Sequence, residues 1–139
     1  MSEPAVAEEV RVRIDDDRAI VDARQKGRAM ALKIGFSSGA ATLIATAISE
    51  LARNILLYAG RGEIALQSIE REGFPGLLVL ARDEGPGIAD LDQALEDGYS
   101  TSGRLGLGLP GVRRLMDEFD VVSRIGDGTS VRIVKWKHA

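Results

Sequence analysis

Residues 46–54, Thr46-Ala-Ile-Ser-Glu-Leu-Ala-Arg-Asn54, decide how the chain is read. Around them Ile44, Ala47, Leu51, Ile55 and Tyr58 recur at helical spacing, which predicts an amphipathic helix over 40–58. Glu50 and Asn54 interrupt this apolar pattern four positions apart, on one helix face and one turn from each other. An asparagine can hold a magnesium ion while phosphate oxygens complete its shell. A glutamate one turn away can orient or deprotonate an attacking hydroxyl. Spacing alone also suits a solvated helix edge, so the pair needs company before it means chemistry.

That company lies downstream. Asp83-Glu-Gly-Pro-Gly87 follows the apolar run 77–82, which reads as a central strand. A strand-end aspartate beside glycines can accept from an exocyclic amino group such as adenine's, and glycine lets backbone approach a flat ring. An ordinary Gly-Pro-Gly turn is the alternative. Gly106, Gly108 and Gly111 then lead into a helix, where glycine-lined N–H groups can cradle phosphate. A surface loop without a ligand is the alternative there. The Walker signature is missing, since no Gly-Lys-Ser or Gly-Lys-Thr occurs. The glycines also do not open a βαβ unit after the first strand, as a dinucleotide fold requires.

Working outward, residues 1–9 read as a loose acidic tail and 10–14 as a half-exposed strand. A helix over 19–33 follows, with Val21, Met30 and Ile34 expected inward and Gly35 ending it. Ser37 or Ser38 caps the 40–58 helix. A strand over 63–71, a turn over 72–76 and the 77–82 strand form a hairpin. A short helix over 90–96, a glycine-rich loop over 99–108 and a helix over 112–118 come next. Strands over 120–125 and 129–136 close the chain as a second hairpin around Gly126-Asp127-Gly128. The expected fold is a single α/β domain over 10–139, a two-layer sandwich with a mixed sheet and helices on one face.

Composition narrows the function. The chain has 139 residues, 45% apolar content and only 4% aromatics, so aliphatic side chains must fill its core. A net charge of −3 and the lack of a basic, aromatic-interleaved run give no reason to expect nucleic acid. Without cysteine there is no thiol catalysis or sulfur-ligated metal. The sole histidine, His138, is expected to be an exposed tail residue. No signal-peptide pattern is seen, and no apolar run approaches membrane-spanning length, the longest being 77–81. A soluble cytoplasmic protein without a membrane partner is expected.

Taken in order, Glu50-Leu-Ala-Arg-Asn54, Asp83-Glu-Gly-Pro-Gly87, Gly106-Leu-Gly108 and Gly128-Thr129 resemble the GHKL ATPase superfamily, the group of histidine kinases, gyrase and MutL. Within it the chain looks most like the small anti-sigma-type serine/threonine kinases, the switch kinases of the stressosome. Residues 96–102, 108–112 and 115–119 carry that further likeness. The resemblance implies the Bergerat type of ATPase fold, with ATP and Mg2+ bound. Asn54 would hold the magnesium, Glu50 would be the general base, and Asp83 would accept from the adenine amino group. Gly85 and Gly87 would allow close approach to the base, and Thr129 would support Asp83. Residues 99–108 would form a lid, with Gly106 and Gly108 donating N–H groups. Arg53 and Arg104 would be lesser phosphate contacts. Arg104 replaces a glycine of the family pattern, adding charge or stiffness to the lid.

The implied reaction moves the γ-phosphoryl group of ATP onto a serine or threonine of a STAS-domain scaffold or antagonist protein. A PP2C-type phosphatase would be the second partner. A sigma factor is the partner if the chain is instead an anti-sigma factor, and a nucleotide-gated binding module without transfer is a third possibility. The chain shows no phospho-accepting histidine domain or transducer domain, so neither a sensor histidine kinase nor a clamp ATPase is expected.

Overall fold

The computed structural model describes residues 4–85 and 108–138. Strand β1 (Ala5–Ile14) leads into helix α1 (Asp17–Ile34) and helix α2 (Ser38–Ala59). Strands β2 (Gly62–Arg71) and β3 (Phe74–Asp83) follow, then helix α3 (Gly108–Leu115) and strands β4 (Glu118–Arg124) and β5 (Gly128–Trp136). The expected short helix over 90–96 and the lid over 99–107 lie outside the described residues, as do Gly87, Arg104 and Gly106.

Local chemistry sets the helix ends. Asp16 accepts from the Ala19 N–H at 3.1 Å and Ser37 from the Ala40 N–H at 3.1 Å, each satisfying an orphan donor. Gly35 and Gly60 end α1 and α2 in the left-handed conformation, at φ 115° and 81°. Of the three inward residues expected on α1, Met30 is buried and Ile34 is half-buried, but Val21 is exposed. The buried face is instead carried by Ile20, Ala23, Gly27, Met30 and Ala31, whose spacing leaves Val21 to one side. At Gly27 the two helices touch: a Cβ there would sit 2.1 Å from the Ile48 Cδ1.

The sheet order is β1-β2-β3-β5-β4. The two-layer α/β sandwich is present, with both long helices packed on one face over Val12, Ile14, Ile64, Leu66, Leu77, Val79, Val131 and Ile133. All four neighbouring strand pairs are antiparallel. The parallel neighbours implied by a mixed sheet are thus missing among the described strands. The crossover through α3 makes β3 and β4 run the same way, but β5 inserts between them.

Several boundaries shift for identifiable reasons. β1 starts at Ala5, so half of the expected tail joins the sheet, pairing with β2 across an irregularity between Val6 and Glu8. The 72–76 turn tightens to Glu72-Gly73, both at positive φ (55° and 84°), as a two-residue hairpin turn demands. Phe74, Pro75 and Gly76 therefore belong to β3. α3 begins earlier than 112 because Pro110 is tolerated in its first turn. It also ends earlier, because Glu118 pairs with Val134 in the sheet rather than closing the helix.

Helix α2 corrects the expectation that no segment has membrane-spanning length. Its 22 residues, with a window of mean hydropathy 1.3, are long and apolar enough to cross a membrane. Yet 56% of that window is buried inside the domain, as for a core helix. His138 is exposed as expected, 3.7 Å from Asp117.

On the helix-free face, Glu118 accepts from Trp136 Nε1 (2.6 Å) and pairs with Arg71 (3.2 Å) and Arg132 (3.3 Å). Burial works to raise the pKa of this carboxyl. The hydrogen bonds from Trp136 and Arg132 and the charges of Arg71 and Arg132 outweigh it, so the carboxyl titrates below its ordinary value. A depressed carboxyl stabilises the fold above the unfolded-state pKa, and that contribution is lost as pH falls through the folded-state value. Glu118→Gln is expected to cost about 2 kcal/mol at pH 7. In urea titrations the gap between variant and wild type should close as pH drops below the carboxylate range. A gap that persists at acid pH would mean the charge is not its source.

Candidate nucleotide site

Four elements meet at one end of the sandwich, with Leu109 contributed by the start of α3. The C-terminal half of α2, the end of β3 and the starts of α3 and β5 enclose a cleft lined by Leu51, Asn54, Ile55, Tyr58, Ala81, Asp83, Leu109, Thr129 and Val131. Most of these side chains are apolar, with Asn54, Asp83 and Thr129 as the convergent polar groups. The free space is about 20 Å3, so entry of a purine ring must widen the cleft.

Asp83 is held by backbone. Its Oδ1 accepts from the Gly85 N–H at 2.9 Å and from the Thr129 N–H at 3.2 Å. Among the described residues no donor reaches Oδ2, which leaves that oxygen free to accept from a ligand. Thr129 in turn shares a 2.8 Å hydroxyl contact with Ser123 on the neighbouring strand.

Glycines make this approach possible. A Cβ on Gly128, which has φ +91°, would lie 2.2 Å from the Asp83 carbonyl oxygen. A Cβ on Gly85 would lie 2.6 Å from the Ala59 Cβ, and one on Gly62 would lie 2.3 Å from the Arg82 carbonyl oxygen. The strand ends and the C-terminus of α2 thus close around Asp83 only because side chains are missing there. Gly128→Ala is expected to lower stability by about 3 kcal/mol, from left-handed strain plus the backbone clash. It should weaken nucleotide binding as well. Thermal melts with and without ATP check both effects, and a wild-type melting curve would refute the clash.

On α2, Glu50 is 9% exposed, and its Oε1 accepts from Arg53 Nη1 at 3.0 Å. A solvated helix edge is therefore not its environment. Asn54 is half-buried on the wall of the cleft, one turn along, and its amide makes no hydrogen bond among the described residues. Glu50 does not itself line the cleft. Gly108 opens α3 at φ 59°, and the next residue, Leu109, forms part of the wall.

A magnesium ion fits this donor set in one way. No group of three or more His, Cys, Asp or Glu side chains that could cage a bare ion is assembled among the described residues. One uncommitted amide oxygen at the cleft suits an ion that keeps its waters and takes its remaining ligands from phosphates.

The sequence reading brought Asn54, Asp83 and Thr129 to one place and set Glu50 beside them. It gave no site role to Gly62 or to the wall residues Tyr58, Leu109 and Val131. Those four show in sequence only as packing or turn residues; the strand register sets Gly62 opposite Asp83 and Val131 opposite Ala81, and the packing of the helices on the sheet brings Tyr58 and Leu109 to the same cleft.

A family model described as "Histidine kinase-like ATPase domain" matches residues 12–135. The chain is 53% identical to serine/threonine-protein kinase RsbT of Bacillus subtilis (strain 168), across 90% of this chain and 94% of that protein. It is 32% identical to the anti-sigma F factor of Caldanaerobacter subterraneus subsp. tengcongensis, across 67% of this chain and 68% of that one. The anti-sigma F factor of Bacillus cereus (strain AH187) is likewise 32% identical, across 68% of each chain. The family match spans α2, both hairpins and the cleft between them, and the chain belongs to the histidine kinase-like ATPase family.

Proposed function

We propose that the protein is an ATP-dependent protein serine/threonine kinase that acts in the cytoplasm as a partner switch. The observation that carries the reading is the placement of the Glu50–Asn54 helix face beside the cleft that ends in Asp83. The similarity to RsbT over nearly the whole chain supports it. The base of ATP enters between Leu51, Ile55, Tyr58, Ala81 and Val131, with its amino group on Asp83. Magnesium, when bound with ATP, screens the phosphate charge, and Asn54 is the residue that would hold it.

Glu50 takes the proton of the attacking serine or threonine hydroxyl as its oxygen bonds to the γ-phosphorus. The bond from that phosphorus to the bridging oxygen breaks, and ADP leaves. Arg53 keeps the Glu50 carboxylate in one orientation meanwhile. Most of the rate comes from placing donor and acceptor and from charge screening, as in other phosphoryl transfers. In this reading Gly85 and Gly87 allow the base its close approach, and Arg104, Gly106 and Gly108 serve the phosphate end.

The acceptor is a STAS-domain scaffold or antagonist protein, and a PP2C-type phosphatase is the partner bound afterwards. Transfer of labelled γ-phosphate from Mg-ATP to STAS-domain proteins of the same organism tests this. Label on one such protein is the expected result. ATP binding without label on any of them would sink the transfer step. The similarity to anti-sigma F factors favours a second reading, in which a sigma subunit is the bound partner. Recovery of a sigma subunit, and of no STAS protein, in a pull-down with ATP would select it.

A further inference from the structure

On the face of the sheet opposite the helices, the strand register builds a second feature. Val12 and Ile14 point into the core, so Arg11 and Arg13, which alternate with them along β1, point away. Glu63 pairs with Arg13 on one side and with Arg82 on the other, which sets these three in one row across β1, β2 and β3. Arg61 precedes β2 at the same end. Arg11, Arg13, Arg61 and Arg82 line a groove of about 690 Å3 with Gly62, Glu63, Asp83 and Glu84.

The charges here are not mutually satisfied. Arg11 is committed to Glu9 (2.6 Å) and Glu63 (3.3 Å). Asp83 is turned to the Gly85 and Thr129 N–H groups. Arg13, Arg61 and Arg82 are exposed and make no hydrogen bond or ion pair among the described residues. Within the lining, Glu84 and the open Oδ2 of Asp83 are left to offset these three guanidiniums, and outside it the Glu9 carboxylate feels the Arg82 charge.

We propose that this groove is a docking site for an extended acidic segment of a partner protein. Three unpaired guanidiniums along one wall match carboxylates spaced along an extended chain, each able to form a forked pair. The site is distinct from the place where a hydroxyl would meet phosphate, because the groove and the cleft share only Asp83. A nucleic acid is the poorer occupant. The chain is net acidic, three carboxylates interrupt the arginines, and no aromatic side chain lines the groove to stack a base. The inference goes beyond the kinase reading and holds with or without phosphoryl transfer.

The test uses the full chain and a fluorescein-labelled decapeptide containing six glutamates, followed by anisotropy. Binding is expected to be at least tenfold tighter than for the same peptide with glutamines, and to weaken as salt rises from 50 to 300 mM. Arg13→Glu with Arg82→Glu should weaken it at least tenfold, while Mg-ATP binding and melting temperature stay at wild-type values. Should that pair fail to fold, Arg61→Glu alone should weaken peptide binding several-fold. Equal affinity for the glutamate and glutamine peptides would overturn the proposal, as would unchanged binding in the folded variants. Tighter binding of oligo-uridine than of the peptide at these same arginines would also overturn it.

Discussion

Asn54→Ala is expected to lower magnesium-dependent phosphoryl transfer by about 10^3-fold or more, the scale of losing several kcal/mol of charge stabilisation. The fold should survive. Asn54 is half-buried and makes no hydrogen bond among the described residues, so truncation orphans no buried group. A useful companion is Glu50→Gln, which keeps the side-chain shape and leaves Arg53 an oxygen to bind. Loss of a general base slows proton transfer by about 10^2- to 10^4-fold. The two variants should therefore differ in kind. Asn54→Ala should weaken the magnesium dependence of ATP binding, whereas Glu50→Gln should bind Mg-ATP within a few-fold of wild type and fail in turnover. Labelled-phosphate transfer and calorimetric ATP titration, run with and without magnesium, separate these effects. Wild-type turnover in Asn54→Ala would remove the magnesium role, and parallel losses of binding and rate in Glu50→Gln would remove the base.

Much of this architecture could be read before any coordinates, because it depends on short-range chemistry. A serine cap at 37 or 38, Gly35 as a stop, and the Ile44-Ala47-Leu51-Ile55 stripe each announce themselves within a turn or two of helix. Hairpins with glycine turns are equally local. What escaped is non-local. Nothing near residues 5–9 says that they pair with 67–70, since the strand is held by its partner rather than by its own propensity. α3 ends before Glu118 because that residue is held in the sheet by Arg71, Arg132 and Trp136, all distant in sequence. The site divides the same way. Glu50, Asn54 and Asp83 are polar residues in apolar or glycine-rich surroundings, so they stand out. Gly62 matters only because β2 runs against β3 and sets it opposite Asp83.

Asp83 carries the second large effect, and two substitutions there should part company. Asp83→Ala removes the acceptor of the Gly85 and Thr129 N–H groups, leaving two half-buried donors unpaired. A loss of about 2–3 kcal/mol in stability is expected, together with loss of ATP binding. Asp83→Asn keeps an oxygen for those two donors and should fold nearly as well as wild type. Its amide N–H2 then stands where the free carboxylate oxygen was. Facing the adenine amino group, donor meets donor, and ATP affinity should fall about 100-fold. Inosine triphosphate carries a carbonyl at that ring position, which the new amide can satisfy. The variant should therefore bind inosine triphosphate more tightly than ATP, reversing the wild-type order. Competition binding of the two nucleotides to both proteins reads this out directly. A general loss of fold would lower both affinities together, so a reversed order can come only from contact between residue 83 and the base. If Asp83→Asn bound ATP within threefold of wild type, the carboxylate would be a structural bracket for Gly85 and Thr129 and not the group that reads the purine.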